Sequence, residues 1–217
     1  MAGNLTWFAP WLNFSPLQTF EVKVAAPTQL MWALIGLILT IGGTLLEAFI
    51  VSPPWHWGQA GVQATSLGVT CQIAAVLLVG CLGGRNAAAI SQIAYLILGL
   101  TWFNVFTLGG GLDYVHRPSF GYLLGFVPGA WICGWLAFRF PRRLEYLALS
   151  CLMGLATIHA TGIGYILIAH AAKWPGFATL VLSDTLTTYS IEPLPGQLVL
   201  VCAVTVLASF LRRLMLY

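Results

Sequence analysis

Long apolar runs, interrupted by short polar or glycine-containing stretches, make up most of the sequence. Each run is continuously apolar for about the 20 residues that a helix needs to cross a bilayer. Strands of a membrane barrel would instead alternate apolar and polar residues over segments of about 10 residues. The pattern therefore predicts six transmembrane helices and no barrel. The predicted spans cover about residues 29–51, 66–82, 87–106, 120–138, 144–170 and 196–211.

Composition supports a membrane location. Charged residues form only 7% of the 217 residues, and the mean hydropathy is +0.88, whereas a typical soluble domain has about 25% charged residues. So few charges could not cover the surface of a soluble globule, which excludes an ordinary cytosolic enzyme, a nucleic-acid binder and a disordered protein. We expect an all-α integral membrane protein, with an aromatic interfacial arm over residues 1–27 and a six-helix domain over residues 28–217.

The basic residues predict how the helices are oriented. If both termini lie on one side of the membrane, seven of the nine Lys and Arg residues share that side, and Arg117 and Lys173 lie opposite. The positive-inside rule then places both termini in the cytoplasm. Loops 107–119 and 171–195 consequently face outward. The seven shared residues are Lys23, Arg85, Arg139, Arg142, Arg143, Arg212 and Arg213.

The sequence contains no arrangement that is typical of an enzyme. It has no phosphate-binding loop, and no nucleophile is accompanied by a base. The five cysteines fall inside the predicted spans without a close pair or a CxxC motif, so we interpret them as small apolar packing residues. We therefore expect no catalysis, no disulfide framework, no metal site and no bound cofactor. The cysteines are Cys71, Cys81, Cys133, Cys151 and Cys202.

Two ionisable residues within the predicted spans have alternative interpretations. His159 either marks a ligand path or bonds a neighbouring helix. Glu47, near the outer end of the first span, either has a function or reaches water at the interface. Gly121, Gly125 and Gly129 are spaced four residues apart, which most simply lets helix backbones approach closely.

The two long outer loops carry the more informative pattern. Gly109–Gly111 and Pro118 place irregular backbone at the membrane edge, where it is tolerated only if it is buried in protein or lines a wet cavity. Two such loops above helices with otherwise short connections predict a lidded pocket that opens to the outside. This arrangement suits a binding protein for a small solute better than a channel, which needs a ring of like groups.

Several motifs in the third and fourth spans match a known pattern. The stretch Tyr95–Leu100 is followed by Val105–Phe106, Gly109–Gly111 and Pro118–Phe126. Together they resemble the BioY family, the substrate-binding subunits of energy-coupling factor biotin transporters. The family pattern reads approximately YLLLGLxGLPVFxGGGG, followed by GPTGGYLxGF. The resemblance extends over roughly residues 28–215.

The resemblance implies a six-helix fold with a biotin pocket near the outer face, capped by loops. It also implies a partner, a coupling membrane protein with two ATPase subunits, and a location in the bacterial plasma membrane. The family's ligand-holding Asp and Lys at the start of the last helix are replaced by Gln197 and Leu200. Arg117, which replaces a glycine in the capping loop, is either an anchor for a ligand carboxylate or an ordinary surface arginine. Gly36 and Thr40 match only poorly the small residues that family members use to meet the coupling protein.

The function that the resemblance implies is binding of biotin from the outside without chemical change. Aromatic walls with a few polar groups suit a compact ring with polar edges. Two alternatives remain open: a structural subunit of a larger membrane complex, and a transporter of a different small solute. The residues predicted to line the pocket are Tyr95, Asn104, Phe106, Arg117, Ser119, Tyr122, Glu192 and Gln197.

Overall fold

Long apolar helices form the body of the protein. The structure is a computed structural model that describes residues 26–101, 103–177 and 180–215. Within these ranges, five helical segments are long and apolar enough to cross a membrane. Most of the predicted interfacial arm, residues 1–25, lies outside the described residues. The elements are α1 (Ala26–Leu45), β1 (Glu47–Val51), α2 (Trp57–Ala60), β2 (Ala64–Thr70), α3 (Gln72–Thr101), α4 (Ser119–Arg139), α5 (Leu144–Ala171), α6 (Leu182–Leu186) and α7 (Leu194–Leu214), with a π-helical turn (Thr187–Ile191) between α6 and α7.

The longest helical segment, α3, is folded back on itself at Gly84. Gln72 at its start donates a hydrogen bond from Nε2 to Tyr95 Oη over 2.8 Å, although a straight helix would separate these residues by about 34 Å. Residues 72–83 and 85–101 are therefore two antiparallel arms. At 1.5 Å per residue the first arm covers only about 18 Å of a hydrocarbon layer about 30 Å thick. The count of six membrane crossings stays a prediction.

The fold-back depends on the backbone of Gly84. Its φ of 78° and ψ of 174° lie in a region that is accessible almost only to glycine. The turn also packs tightly against α4, because a Cβ at Gly134 would lie 2.6 Å from the backbone nitrogen of Arg85. Glycines at both positions let the turn form and let α4 cross directly beside it.

A β-hairpin connects α1 to α3, which the apolar pattern did not predict. Strands β1 and β2 are antiparallel, with Phe49 opposite Ser66. The predicted continuation of the first span to residue 51, and the start of the second at residue 66, were therefore wrong. Phe49, Ile50 and Val51 are aromatic or β-branched and suit a strand better than a helix end. Glu47 begins this strand, is exposed, and accepts a hydrogen bond from Ser66 Oγ.

The glycines of α4 form its contact with α5, which confirms the packing interpretation. A Cβ at Gly121 would lie 2.5 Å from the Tyr165 side chain. Cβ atoms at Gly125 and Gly129 would lie 2.8 Å and 2.6 Å from atoms of Ile158. Helices in lipid associate mainly through such close packing, because lipid tails are as apolar as the side chains. These three glycines, which we name the stripe, fix α4 and α5 against each other along much of their length.

Arginines cluster at one end of the helical body, which we name the basic end. Arg212, near the end of α7, donates hydrogen bonds over 2.8 Å to the carbonyl oxygens of Cys81 and Ala137. The beginning of α1 lies at the same end, since Trp32 packs against Leu82 close to the α3 fold-back. The face of the membrane on which this end lies stays a prediction. The basic end carries Arg85, Arg139, Arg142, Arg143, Arg212 and Arg213.

The Gly84 turn yields a test of the fold. We expect Gly84→Ala to destabilise the folded chain by about 1–3 kcal/mol, because alanine is strained in this backbone conformation. Gly164→Ala is the matched control: Gly164 is helical, and a Cβ there would meet no atom within 4 Å. Its stability should be unchanged or slightly higher, since alanine favours helix. The measurement is the thermal unfolding midpoint in detergent, and equal midpoints for the two variants would contradict the role of the turn.

Candidate functional site

A buried tyrosine organises the end of the protein opposite the basic end. The hydroxyl of Tyr95 lies 3.1 Å from Thr44 Oγ1, accepts a hydrogen bond from Gln72 Nε2 and donates to the carbonyl oxygen of Val105 over 3.0 Å. The Tyr95 side chain is completely buried. Its hydroxyl therefore ties α1, both arms of α3 and the loop after α3 into one unit.

The glycine-rich loop after α3 packs aromatic rings against this tyrosine. Phe106 lies edge-on to Tyr95 with ring centroids 5.3 Å apart, and Tyr114 lies 4.7 Å from Phe106. A Cβ at Gly99 would overlap Phe106, and Gly111 donates a backbone hydrogen bond to Gly99 over 2.8 Å. Burial raises the pKa of the Tyr114 phenol, so this group is neutral near pH 7. The rings of Tyr95, Phe106 and Tyr114 together form a surface that we name the aromatic wall.

Beside this wall, α4, α5, the π-helical turn and α7 bring together a second set of polar groups, which we name the polar cluster: Tyr122, His159, Ser190 and Gln197. Tyr122 Oη is hydrogen-bonded to Ser190 Oγ, and the Tyr122 ring lies edge-on to His159 at 5.6 Å. His159 Nε2 lies 2.6 Å from Gln197 Oε1. Tyr189 stacks on Tyr122 at 6.2 Å. π-Helical turns such as the one that supplies Tyr189 and Ser190 are frequent at functional sites.

The pairing of His159 with Gln197 indicates which nitrogen of the imidazole donates a hydrogen bond. An amide oxygen can only accept a hydrogen bond, so Nε2 of His159 carries the proton and donates. In the neutral ring Nδ1 is then an acceptor, and it has no hydrogen-bond partner among the described residues. His159 is 8% exposed and Gln197 is 6% exposed. A buried acceptor without a partner is costly and is suited to a ligand N–H group.

The structure places four of the eight predicted site residues in the aromatic wall or the polar cluster. Tyr95 and Phe106 are buried in the aromatic wall, and Tyr122 and Gln197 belong to the polar cluster. Ser119 is half-buried and donates to Tyr114 Oη over 3.2 Å. The three others are exposed, and the guanidinium of one of them, Arg117, lies 5.6 Å from the Tyr114 ring centroid. The exposed predicted residues are Asn104, Arg117 and Glu192.

Several residues of this region were not among those predicted. The sequence pattern leaves His159 with two interpretations, and it does not single out Gln72, Tyr114 or Ser190. Gln72 and His159 carried a usable signal, because a polar side chain in an apolar span is costly unless it is bonded. Ser190 carried none, since its position depends on a turn that the sequence pattern does not reveal.

Leu200, where the family resemblance implies a lysine, lies outside the polar cluster. It is 8% exposed and packs with Ala48 and Val69 of the β-hairpin. A Cβ at Gly196, one turn earlier, would lie 2.6 Å from the backbone oxygen of Leu67. The beginning of α7 is therefore covered by β2, and position 200 is part of an apolar contact.

Fold and site together define an α-helical multi-pass membrane protein with a polar and aromatic cluster at one end. The sequence model of the BioY family matches residues 18–217. The chain belongs to the BioY family.

Individual relatives are consistent with this membership. An uncharacterized 21.2 kDa protein of Cyanophora paradoxa is 31% identical over 89% of this chain and all of that protein. The probable biotin transporter BioY of Lysinibacillus sphaericus is 41% identical over 46% of this chain and 52% of that protein. The biotin transporter BioY of Thermotoga maritima is 34% identical over 43% of this chain and 56% of that protein. The alignments with these two transporters thus span about half of each.

A solved structure shares the fold. It is the S-component for biotin from an ECF-type ABC transporter, and it matches with a TM-score of 0.62 over 86% of this chain and 92% of the other. The sequence identity is 18%, so this likeness shows the architecture alone.

Proposed function

We propose that this chain is the substrate-binding subunit of a biotin transporter, which binds biotin from the outside without changing it chemically. The observation that carries the proposal is the buried His159–Gln197 pair, with its unpartnered Nδ1, beside the aromatic wall. Membership of the BioY family and the relatives that are named as biotin transporters support the same ligand. Hydrolysis of ATP would belong to other subunits.

The chemistry of biotin fits these groups. Its ureido ring offers two N–H donors and one carbonyl acceptor on a compact bicyclic body. His159 Nδ1 would accept one N–H group, and the side-chain amide of Gln197 can both donate and accept. The rings of Tyr122 and Phe106 would enclose the apolar body, as is usual for small-molecule sites. The His159–Gln197 pair would thus recognise the ureido ring.

The exposed predicted residues would form the rim of the pocket. Arg117, Asn104 and Glu192 are exposed, and they belong to the loop after α3 and the segment before α7. Biotin carries a carboxylate at the end of a flexible chain, and Arg117 would bind this group. Tyr95 and Ser119 would act indirectly, by holding the loop residues Val105 and Tyr114 through hydrogen bonds.

The proposed partner is a coupling membrane protein with two ATPase subunits, and the proposed location is the bacterial plasma membrane with both termini in the cytoplasm. The gathering of arginines at the end that also holds the start of α1 supports this orientation. Gly36 and Thr40 are not available for the partner: a Cβ at Gly36 would lie 2.8 Å from Ser91, and Thr40 is fully buried. The exposed side of α1, with Leu34 as an example, would face lipid or the partner.

A second candidate function is transport of a different small solute. The buried apolar position of Leu200 favours it, because the group that the resemblance implies for ligand binding is absent there. A structural role in a larger membrane complex is the remaining alternative. Titration with labelled biotin separates biotin binding from both.

We expect the purified natural chain to bind labelled biotin in detergent, and His159→Phe to weaken binding by about tenfold or more, through loss of a buried hydrogen bond. His170→Phe is the matched control, because His170 lies on the same helix, is half-buried and is not part of the polar cluster. Equilibrium binding measurements give the dissociation constants of the natural chain and of each variant. The proposal would be overturned if the natural chain does not bind biotin and if added biotin leaves its thermal unfolding midpoint unchanged.

Arg117 has its own test. We expect Arg117→Gln to weaken biotin binding by roughly tenfold, the effect of one charged hydrogen bond, and to leave the binding of biotin amide, which lacks the carboxylate, unchanged. Lys173→Gln is the control, since Lys173 is the other basic residue of the predicted outer loops and is exposed. Equal losses for biotin and biotin amide would show that Arg117 does not bind the carboxylate.

A further inference from the structure

Three cysteines from different helices meet near the basic end. Cys81 Sγ of α3 lies 3.7 Å from Cys133 Sγ of α4 and 3.5 Å from Cys151 Sγ of α5. All three sulfur atoms lie within 4.8 Å of one another, and all three residues are completely buried. No two of the five cysteines are close in the sequence, but the fold brings three of them together. Sequence separations of 52 and 70 residues concealed the contacts.

Glycines bring the three sulfur atoms together. A Cβ at Gly80 would lie 3.2 Å from Cys133 Sγ, and a Cβ at Gly154 would lie 2.9 Å from Cys133 Cβ. Larger residues at either position would separate α3, α4 and α5. The cysteines are unbridged, and their separations are far from the ~2.05 Å of a disulfide bond.

The size of this triangle suits a metal ion. An ion bonded to three thiolates at about 2.3 Å holds the sulfur atoms about 4.0 Å apart. The observed separations of 3.5 Å and 3.7 Å are close to this value, so little movement would be needed. Thiolate ligands select thiophilic d¹⁰ ions such as Cu(I) and Zn(II).

A buried arginine lies next to the triangle. Arg212 is 6% exposed, and its Nε donates to the carbonyl oxygen of Cys81 over 2.8 Å. Its Nη1 donates to Ala137, whereas Nη2 has no hydrogen-bond partner among the described residues. The Arg212 guanidinium also lies over the Phe138 ring, 4.4 Å from its centroid, and nearby negative charge would stabilise this buried cation further. Three thiolates around a metal ion would supply that charge.

We propose that Cys81, Cys133 and Cys151 bind one thiophilic d¹⁰ metal ion, with Arg212 as the balancing charge. Binding releases the three thiol protons as three metal–sulfur bonds form. With Zn(II), the ion, three thiolates and Arg212 sum to zero charge. With Cu(I) they sum to one negative charge, but three ligands suffice without a fourth donor. The site is separate from the polar cluster, because Gln197 and Arg212 lie about 22 Å apart along α7.

The test uses the full chain, purified in detergent under reducing, oxygen-free conditions. Zn(II) and Cu(I) are titrated separately against a coloured competing chelator. We expect one ion per chain for at least one metal, and an affinity roughly 100-fold lower or more in Cys81→Ser, Cys133→Ser and Cys151→Ser, because one metal–sulfur bond is lost in each. Cys202→Ser is the matched control, since Cys202 is exposed on α7; its affinity should be unchanged.

Arg212→Gln tests whether Arg212 supplies the balancing charge. We expect it to weaken metal binding by about 10- to 100-fold, whereas Arg213→Gln, at the exposed neighbouring position, should have no effect. X-ray absorption on the metal-loaded natural chain does not depend on whether variants fold, and should show three sulfur atoms at about 2.3 Å. Less than one ion per ten chains for both metals, fewer than three sulfur ligands in the spectrum, or equal loss in Cys202→Ser would overturn the proposal.

Discussion

Close approach of helix backbones at glycine positions is the constraint on which the rest of this structure depends. In lipid there is little hydrophobic gain from helix association, so packing and internal hydrogen bonds must hold the helices together. The stripe on α4 brings α5 near, and a Cβ at Gly162 of α5 would lie 2.6 Å from the Tyr122 ring. Tyr122 and His159 therefore face each other because no side chain intervenes between their helices. Close helix packing at glycines thus produces both the fold and the arrangement of the site residues.

The same constraint explains why polar residues occur inside apolar segments. Tyr95, Gln72 and Thr44 satisfy one another across α1 and both arms of α3. Thr40 and Gln92 make a second contact of this kind between α1 and α3, at 3.0 Å. In a water-poor interior each such group must find a partner within the protein. These bonds fix the registers of neighbouring helices, which apolar packing alone specifies weakly.

Much of the helical architecture could be predicted from the sequence, because long apolar runs and glycine spacing are local signals. The role of Gly121, Gly125 and Gly129 in helix packing followed from spacing alone, whereas their partner helix, α5, did not. The β-hairpin could not be predicted in this way, since residues 47–51 and 64–70 are apolar enough to read as ends of spans. Its strand character depends on pairing between the two segments, which is a long-range property.

The candidate site was predictable to a smaller extent. Tyr95, Phe106 and Tyr122 belong to motifs that resemble a family pattern, and the structure places them in or beside the aromatic wall. The His159–Gln197 pair was not predicted, because the two residues are 38 positions apart and lie on different helices. The three cysteines were missed for the same reason. Sequence spacing reveals contacts within a helix, whereas contacts between helices depend on how backbones cross.

The most direct test of the account is an experimental structure of the purified chain with biotin bound. We expect the ureido ring between the aromatic wall and the polar cluster, with one N–H group about 3 Å from His159 Nδ1 and the carboxylate directed towards Arg117. Biotin bound at another position, or a polar cluster closed over by its own side chains at saturating biotin, would contradict the account.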